Sequence, residues 1–137
     1  MLFAEFNVPA LVLSFLLWIG LRSLWYSPLL FGRVLVAGDS PGTRDAFSFV
    51  ALLGNIPVAV IVVFAVNAVV HWFDYAGGNV TWLTGLAIGW VLWLGFTVPP
   101  YCLELIDGTR KVAVSLIALG YFLVGYGIIG AVIGAWQ

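Results

Sequence analysis

The sequence predicts an all-α protein, an integral membrane four-helix bundle with its N- and C-termini both on the outer side. Composition points there first: hydrophobic residues are 64% of the 137 and charged residues only 8%, whereas a soluble domain carries roughly 25% charged residues. Apolar stretches of about 20 residues recur along the chain, each long enough to cross a hydrocarbon core of about 30 Å as a helix. Between them lie short segments rich in Gly, Pro, Asn and Asp, the connections of an up-down bundle. Residues 1–137 therefore read as a single transmembrane domain.

Span one is expected over residues 8–26, with Pro9 in its first turn, where a missing N–H costs nothing, and Pro28 ending or kinking it. The run before it has no positive region and no small-residue cleavage site after it, so it reads as a retained span, not a removable signal peptide. The connection "GDSPGTRD", 38–45, is the most hydrophilic segment. Span two follows over 46–73, with Thr43 and Asp45 as N-cap candidates and Pro57 as an internal kink. After "DYAGGNV", 74–80, Asn79 is the expected cap of span three, over 81–98. Pro99-Pro100 is expected to break that helix and leave a short piece, 99–107, before Arg110-Lys111; span four covers 112–136.

The basic residues fix an expected orientation. Arg33 and Arg44 belong to the first connection, Arg110 and Lys111 to the third, and Arg22 lies nearest the same side, while the second connection and both termini have none. The positive-inside rule then places loops 27–45 and 105–111 in the cytoplasm.

Arg22 lies about one turn inside the end of span one, where a charge is expensive unless it pairs or snorkels. Glu104 falls at the same expected depth and is a candidate partner, with Asp107 as its competitor. Trp25 and Tyr26 have the character of an interfacial aromatic belt. Two proline breaks on one side, with Arg22, Trp25, Tyr26, Ser27, Pro99, Pro100, Tyr101 and Glu104 near them, suggest a polar recess, because irregular backbone at membrane depth must be buried in protein or face a cavity. Two ordinary helix ends with their anchors are the simpler alternative. Asn55 and Asn67, twelve apart on roughly one face of span two, are expected to hydrogen-bond between helices.

Glycine spacing supports close packing. Gly85 and Gly89 stand four apart in span three, and Gly127, Gly130 and Gly134 line one face of span four. Small residues at such spacing let membrane helices approach closely, within a chain or between copies.

Several functions are disfavoured. A formal net charge of −1 gives no electrostatic case for nucleic acid, and the one cysteine, Cys102, cannot form an internal disulfide. No phosphate-binding glycine loop, nucleophile elbow or metal-ligand cluster is present, the single histidine, His71, having only Glu5 and Asp74 on its side. No cofactor or metal is called for.

The motifs "LWYSPLLFG", "WLGFTVPP" and "GTRKVAVSLIALGYFLVGYGIIGAVIGAW", in that order, resemble the DUF1761 family of small, mostly bacterial membrane proteins. The resemblance covers nearly the whole chain and implies a compact four-helix domain, in an inner (plasma) membrane, with no assigned activity. It transfers Trp25, Tyr26, Ser27, Pro28, Gly32, Pro99 and Pro100 as parts of a shared local structure. Members often carry an amide or carboxylate and a histidine in the last span where this chain has Ala118 and Phe122, and a small or apolar residue at the position of Arg22; no catalytic role is carried over.

The first functional expectation is a noncatalytic protein, self-associated or part of a larger membrane complex, whose cytoplasm-facing recess holds a membrane lipid or another amphipathic ligand. A membrane-embedded cyclase or isomerase acting on an isoprenoid-like substrate is the second, with aromatic residues against a carbocation and Glu104 or Asp107 moving a proton. A small oligomeric channel or transporter, with Asn55, Asn67 and His71 facing the pathway, is the third.

Overall fold

The computed structural model describes residues 7–27, 30–31 and 49–137, the side chains of 49–52 excepted. The expectations placed on Glu5, Pro28, Gly32, Arg33 and the connection 38–45, with its Thr43, Arg44 and Asp45, lie outside those residues. The described elements are α1 (Val8–Trp25), α2 (Phe49–Tyr75), α3 (Trp82–Leu92), a π-helical turn (Trp93–Thr97), α4 (Val98–Ile106) and α5 (Val112–Ala135), with no strand among the described residues. They form four stretches long and apolar enough to cross a membrane: Val8–Trp25, Leu53–Tyr75, Trp82–Ile106 and Val112–Ala135.

Local chemistry sets the helix ends. Pro9 sits in the first turn of α1, and Asn7 ahead of it uses its side chain elsewhere, donating from Nδ2 to the Trp136 carbonyl at 3.1 Å. Helix α2 runs unbroken through Pro57. It ends in a Schellman turn, Gly78 N–H to Phe73 carbonyl at 3.0 Å and Gly77 N–H to Asp74 carbonyl at 2.9 Å, which needs the positive φ of Gly77. The cap of α3 is Thr81 and not the expected Asn79: Thr81 Oγ1 accepts from the Thr84 N–H at 3.3 Å, whereas Asn79 supplies its carbonyl to the Thr84 hydroxyl. With the helix starting at Trp82, Asn79 stands too far out for its side chain to reach the first free amides.

Span three continues where a break was expected at Pro99-Pro100. The backbone widens into the π turn at Trp93–Thr97, then resumes as α4 with the prolines in its first turn. Pro99 and Pro100 have no N–H to donate, and in an α-ladder their rings would clash with the carbonyls four residues back, on Gly95 and Phe96. The wider turn falls on those residues.

Helix α5 is the axis, packing against α1, α2 and α3. Its pairing with α1 is antiparallel, since Asn7 bonds Trp136 at one end and Trp25 Nε1 donates to the Ile117 carbonyl at 3.0 Å near the other. The buried core joins Trp18 of α1, Ala59, Val63, Val66 and Val70 of α2, and Tyr121, Ile129 and Ile133 of α5. Between α3 and α5 the backbones touch. A Cβ built on Gly85 would run into the Gly130 carbonyl, one on Gly130 into the Gly85 carbonyl, and one on Gly134 would stand 3.0 Å from the Gly85 Cα. Gly89 lies against the Tyr126 carbonyl, and a Cβ on Gly127 would come within 2.8 Å of Trp90 Nε1. In a bilayer such contact replaces the hydrophobic drive, because lipid tails are as apolar as the side chains.

Candidate functional site

One end of the bundle collects the last turn of α1, all of α4 and the start of α5. Arg22 lies in the last turn of α1, with its guanidinium carbon 5.1 Å from the Tyr26 ring centroid and 5.9 Å from that of Tyr121 on α5. Tyr121 is wholly buried, so the cation lies over a ring fixed in the core. Trp25 is held to α5 by its indole bond to Ile117 and stacks on Phe31 with centroids 4.9 Å apart. Ser27 turns its hydroxyl back to the Leu24 carbonyl at 2.6 Å, satisfying the helix end.

A second cation–aromatic pair stands beside the first. Helix α4 ends in a Schellman turn with Asp107 as its cap: Thr109 N–H bonds the Glu104 carbonyl at 3.1 Å, Gly108 N–H bonds the Leu105 carbonyl at 3.3 Å, and Gly108 takes φ +69°. The turn brings Arg110 back over α4, where its guanidinium carbon lies 5.2 Å from the Tyr101 centroid and its Nε 2.9 Å from Glu104 Oε2. Phe122 of α5 connects the pairs, its centroid 5.0 Å from Tyr121 and 6.1 Å from Tyr101. Tyr26 joins the same group, its ring centroid 5.9 Å from that of Tyr121.

The structure thus gathers Arg22, Tyr26, Tyr101 and Glu104, but pairs them differently from the expectation. The partner of Glu104 is Arg110, six residues on, and among the described residues no carboxylate stands within ion-pair distance of Arg22. Pro99 and Pro100 are exposed and act through the backbone, by the π turn before them. Arg110, Tyr121 and Phe122 were not expected in the site. The spacing Glu104–Gly108–Arg110, a helix end with a glycine to turn it, was the available signal for the first; nothing in the sequence marks Tyr121 as the ring beneath Arg22.

Elsewhere, Asn55 and Asn67 are buried, at 5% and 2% exposure, but the amide nitrogen of each finds no partner among the described residues. Neither nitrogen therefore makes the expected interhelical bond among the described residues, and both side chains share a buried face of α2 with Ala59, Val63, Val66 and Val70. Among the described residues no group of three His, Cys, Asp or Glu side chains is placed to hold a metal.

Four membrane-length helices closed on a glycine seam define a small polytopic helical membrane protein. Its end carries two arginines over tyrosines. The chain belongs to the family described as protein of unknown function (DUF1761), which it matches over residues 9–134. No curated protein and no solved structure matches it.

Proposed function

We propose that this protein is a noncatalytic binder of a membrane amphipath, with Arg22 receiving the anionic head of the ligand in a recess open to the cytoplasm. The observation that carries the reading is Arg22 itself: a guanidinium inside the last turn of a span, over Tyr26 and Tyr121, with no carboxylate beside it among the described residues. An ionisable group at membrane depth is by default a functional group with a partner. The π-faces of two tyrosines stabilise the cation, and beyond its contact with the Tyr121 hydroxyl the in-plane N–H donors are kept for a ligand. The uneven placing of Arg33, Arg44, Arg110 and Lys111 supports a cytoplasmic position for this end and outer positions for both termini. Self-association is part of the same reading. The glycine faces are occupied within the chain, and the surface offered to a second copy is the face of span three that carries exposed Trp90, Val91 and Leu94.

Native mass spectrometry from a mild detergent tests this. The expected result is a defined oligomer that keeps a stoichiometric lipid-sized mass, lost in Arg22→Leu and partly kept in Arg22→Lys. A wild-type protein that sprays bare, or an Arg22→Leu variant with the same bound mass, ends the reading.

A further inference from the structure

Glu104 is the residue of this end whose role the structure changes most. We infer that Glu104 is a built-in stand-in for the ligand, holding Arg110 while the site is empty and yielding it to a singly charged phosphate diester that Arg22 and Arg110 grip together. This rests on the proposed lipid-binding reading and adds the head-group class and a competitor within the chain.

Three observations carry it. The first is placement. Arg110 is delivered by the Gly108 turn to a position over Tyr101, and Arg22 lies over Tyr26 and Tyr121, rings that Phe122 joins to Tyr101. Two guanidiniums, on separate elements, therefore lie over one linked group of aromatic rings at the same end of the bundle. The second is the quality of the ion pair. Arg110 Nε and Glu104 Oε2 are 2.9 Å apart, yet Oε2, itself shielded from solvent, accepts no aligned hydrogen bond among the described residues, and the two side chains are 38% and 41% exposed. A half-exposed, misaligned pair is worth no more than about fivefold in an equilibrium, so an incoming anion displaces it at small cost. The third is charge. With Glu104 set against one of the two arginines, the site keeps one net positive charge, while Asp107 and Lys111, both exposed, carry opposite signs.

A monoanion matches that charge, which favours a diester over a doubly charged phosphate monoester. Geometry separates the diester from a carboxylate. A planar carboxylate is matched by one arginine fork, whereas the two free oxygens of a tetrahedral diester diverge and suit donors arriving from two elements. The acidic diester glycerophospholipids have this head, and so does a soluble glycerol phosphodiester.

The test compares phosphatidylglycerol, phosphatidylcholine and oleate for binding to the full chain in phosphatidylcholine nanodiscs, with wild type, Glu104→Gln, Arg110→Gln and Arg22→Leu. Glu104→Gln is expected to bind phosphatidylglycerol about three- to fivefold more tightly, the size of a partly exposed charge pair, and Arg110→Gln to bind it more weakly by a similar factor. Unchanged or weaker binding in Glu104→Gln overturns the inference, as does an oleate preference in the wild type. If Arg22→Leu still loses the lipid in that event, the proposed function survives; if Arg22→Leu binds normally, both fall. Soluble glycerophosphoglycerol displacing the lipid supports the diester head as the recognised group; an inert soluble head together with tight phosphatidylglycerol binding supports it in its lipid form. Should Glu104→Gln fail to fold, Glu104→Ala and the Arg110→Gln arm read the same competition.

Discussion

The Trp18 ring fills the notch that Gly125 leaves on α5: a β-carbon at Gly125 would lie 2.7 Å from Trp18 Cζ3 and 3.1 Å from Cε3. The indole cannot slide away, because it is also packed against Tyr121, with centroids 5.1 Å apart, Phe122 at 5.8 Å and Tyr126 at 5.9 Å. Gly125→Ala should destabilise by about 1–3 kcal/mol, the usual toll of overpacking a filled core, read as a fall in the unfolding midpoint in detergent. Gly20→Ala is the control, since a Cβ there meets nothing within 4 Å, and it should be neutral or stabilising by up to about 1 kcal/mol through helix propensity. Equal losses at both positions would rule out the notch.

Backbone meets backbone at the α3–α5 seam, so its glycines should be less forgiving than Gly125. Gly85→Ala and Gly130→Ala each place a methyl against a carbonyl that no rotamer change can move. Each should lower the unfolding midpoint more than Gly125→Ala. The double variant should lose less than the two single losses added, because contacting sites couple.

Tyr121 carries a buried hydroxyl with no well-aligned hydrogen-bond partner among the described residues, the Arg22 guanidinium being its neighbour. Leaving such a group unsatisfied costs about 1–3 kcal/mol, so Tyr121→Phe should equal or exceed the wild type in thermal stability while keeping the ring under Arg22. Tyr121→Leu removes the ring and should weaken retention of the bound lipid. A clear loss of stability in Tyr121→Phe would mean the hydroxyl is engaged.

Two indoles clamp one turn of α5 from different spans. Trp25 Nε1 bonds the Ile117 carbonyl and Trp93 Nε1 the Leu119 carbonyl, both at 3.0 Å. Trp25→Phe and Trp93→Phe should each cost about 1 kcal/mol. Hydrogen exchange should quicken at the Tyr121 and Leu123 amides, whose helical acceptors are those two carbonyls.

Cysteine labelling decides the orientation. In a Cys102→Ser background, Asn79→Cys should react with an impermeant maleimide on intact cells and Thr109→Cys only after permeabilisation. The reverse pattern would invert the bundle and move the Arg22 end to the outer face.

The spans were legible because lipid imposes a one-dimensional rule: a helix must stay apolar for the thickness of the bilayer. The stretches 8–26 and 112–136 therefore fall within a residue of Val8–Trp25 and Val112–Ala135. The glycines were legible because their spacing is itself the contact pattern. Arg22 stood out by its cost. What the sequence hid were relations fixed by rotation about the helix axes, such as which ring lies beneath Arg22 and which cation meets Glu104. Asn55 and Asn67 misled because an amide's sequence position says nothing about the neighbours its helix will face. The π turn was hidden as well, since Pro99-Pro100 announces a disturbance but not whether the helix stops or stretches.

That turn sets the angular phase of span three. Gly89 and Tyr101 are twelve residues apart, which on an uninterrupted α-helix puts them about 120° around from each other. A π turn absorbs one surplus residue, so Tyr101 takes the azimuth of a position eleven along and the offset shrinks to about 20°. Gly89 can then lie against Tyr126 while Tyr101 meets Phe122 on the same helix. The span works like two shafts joined by a keyed coupling, one keyed to the glycine seam and the other to the arginines. A deletion within Trp93–Thr97 should preserve that phase, and a deletion anywhere else between Gly89 and Tyr101 should turn one half out of mesh.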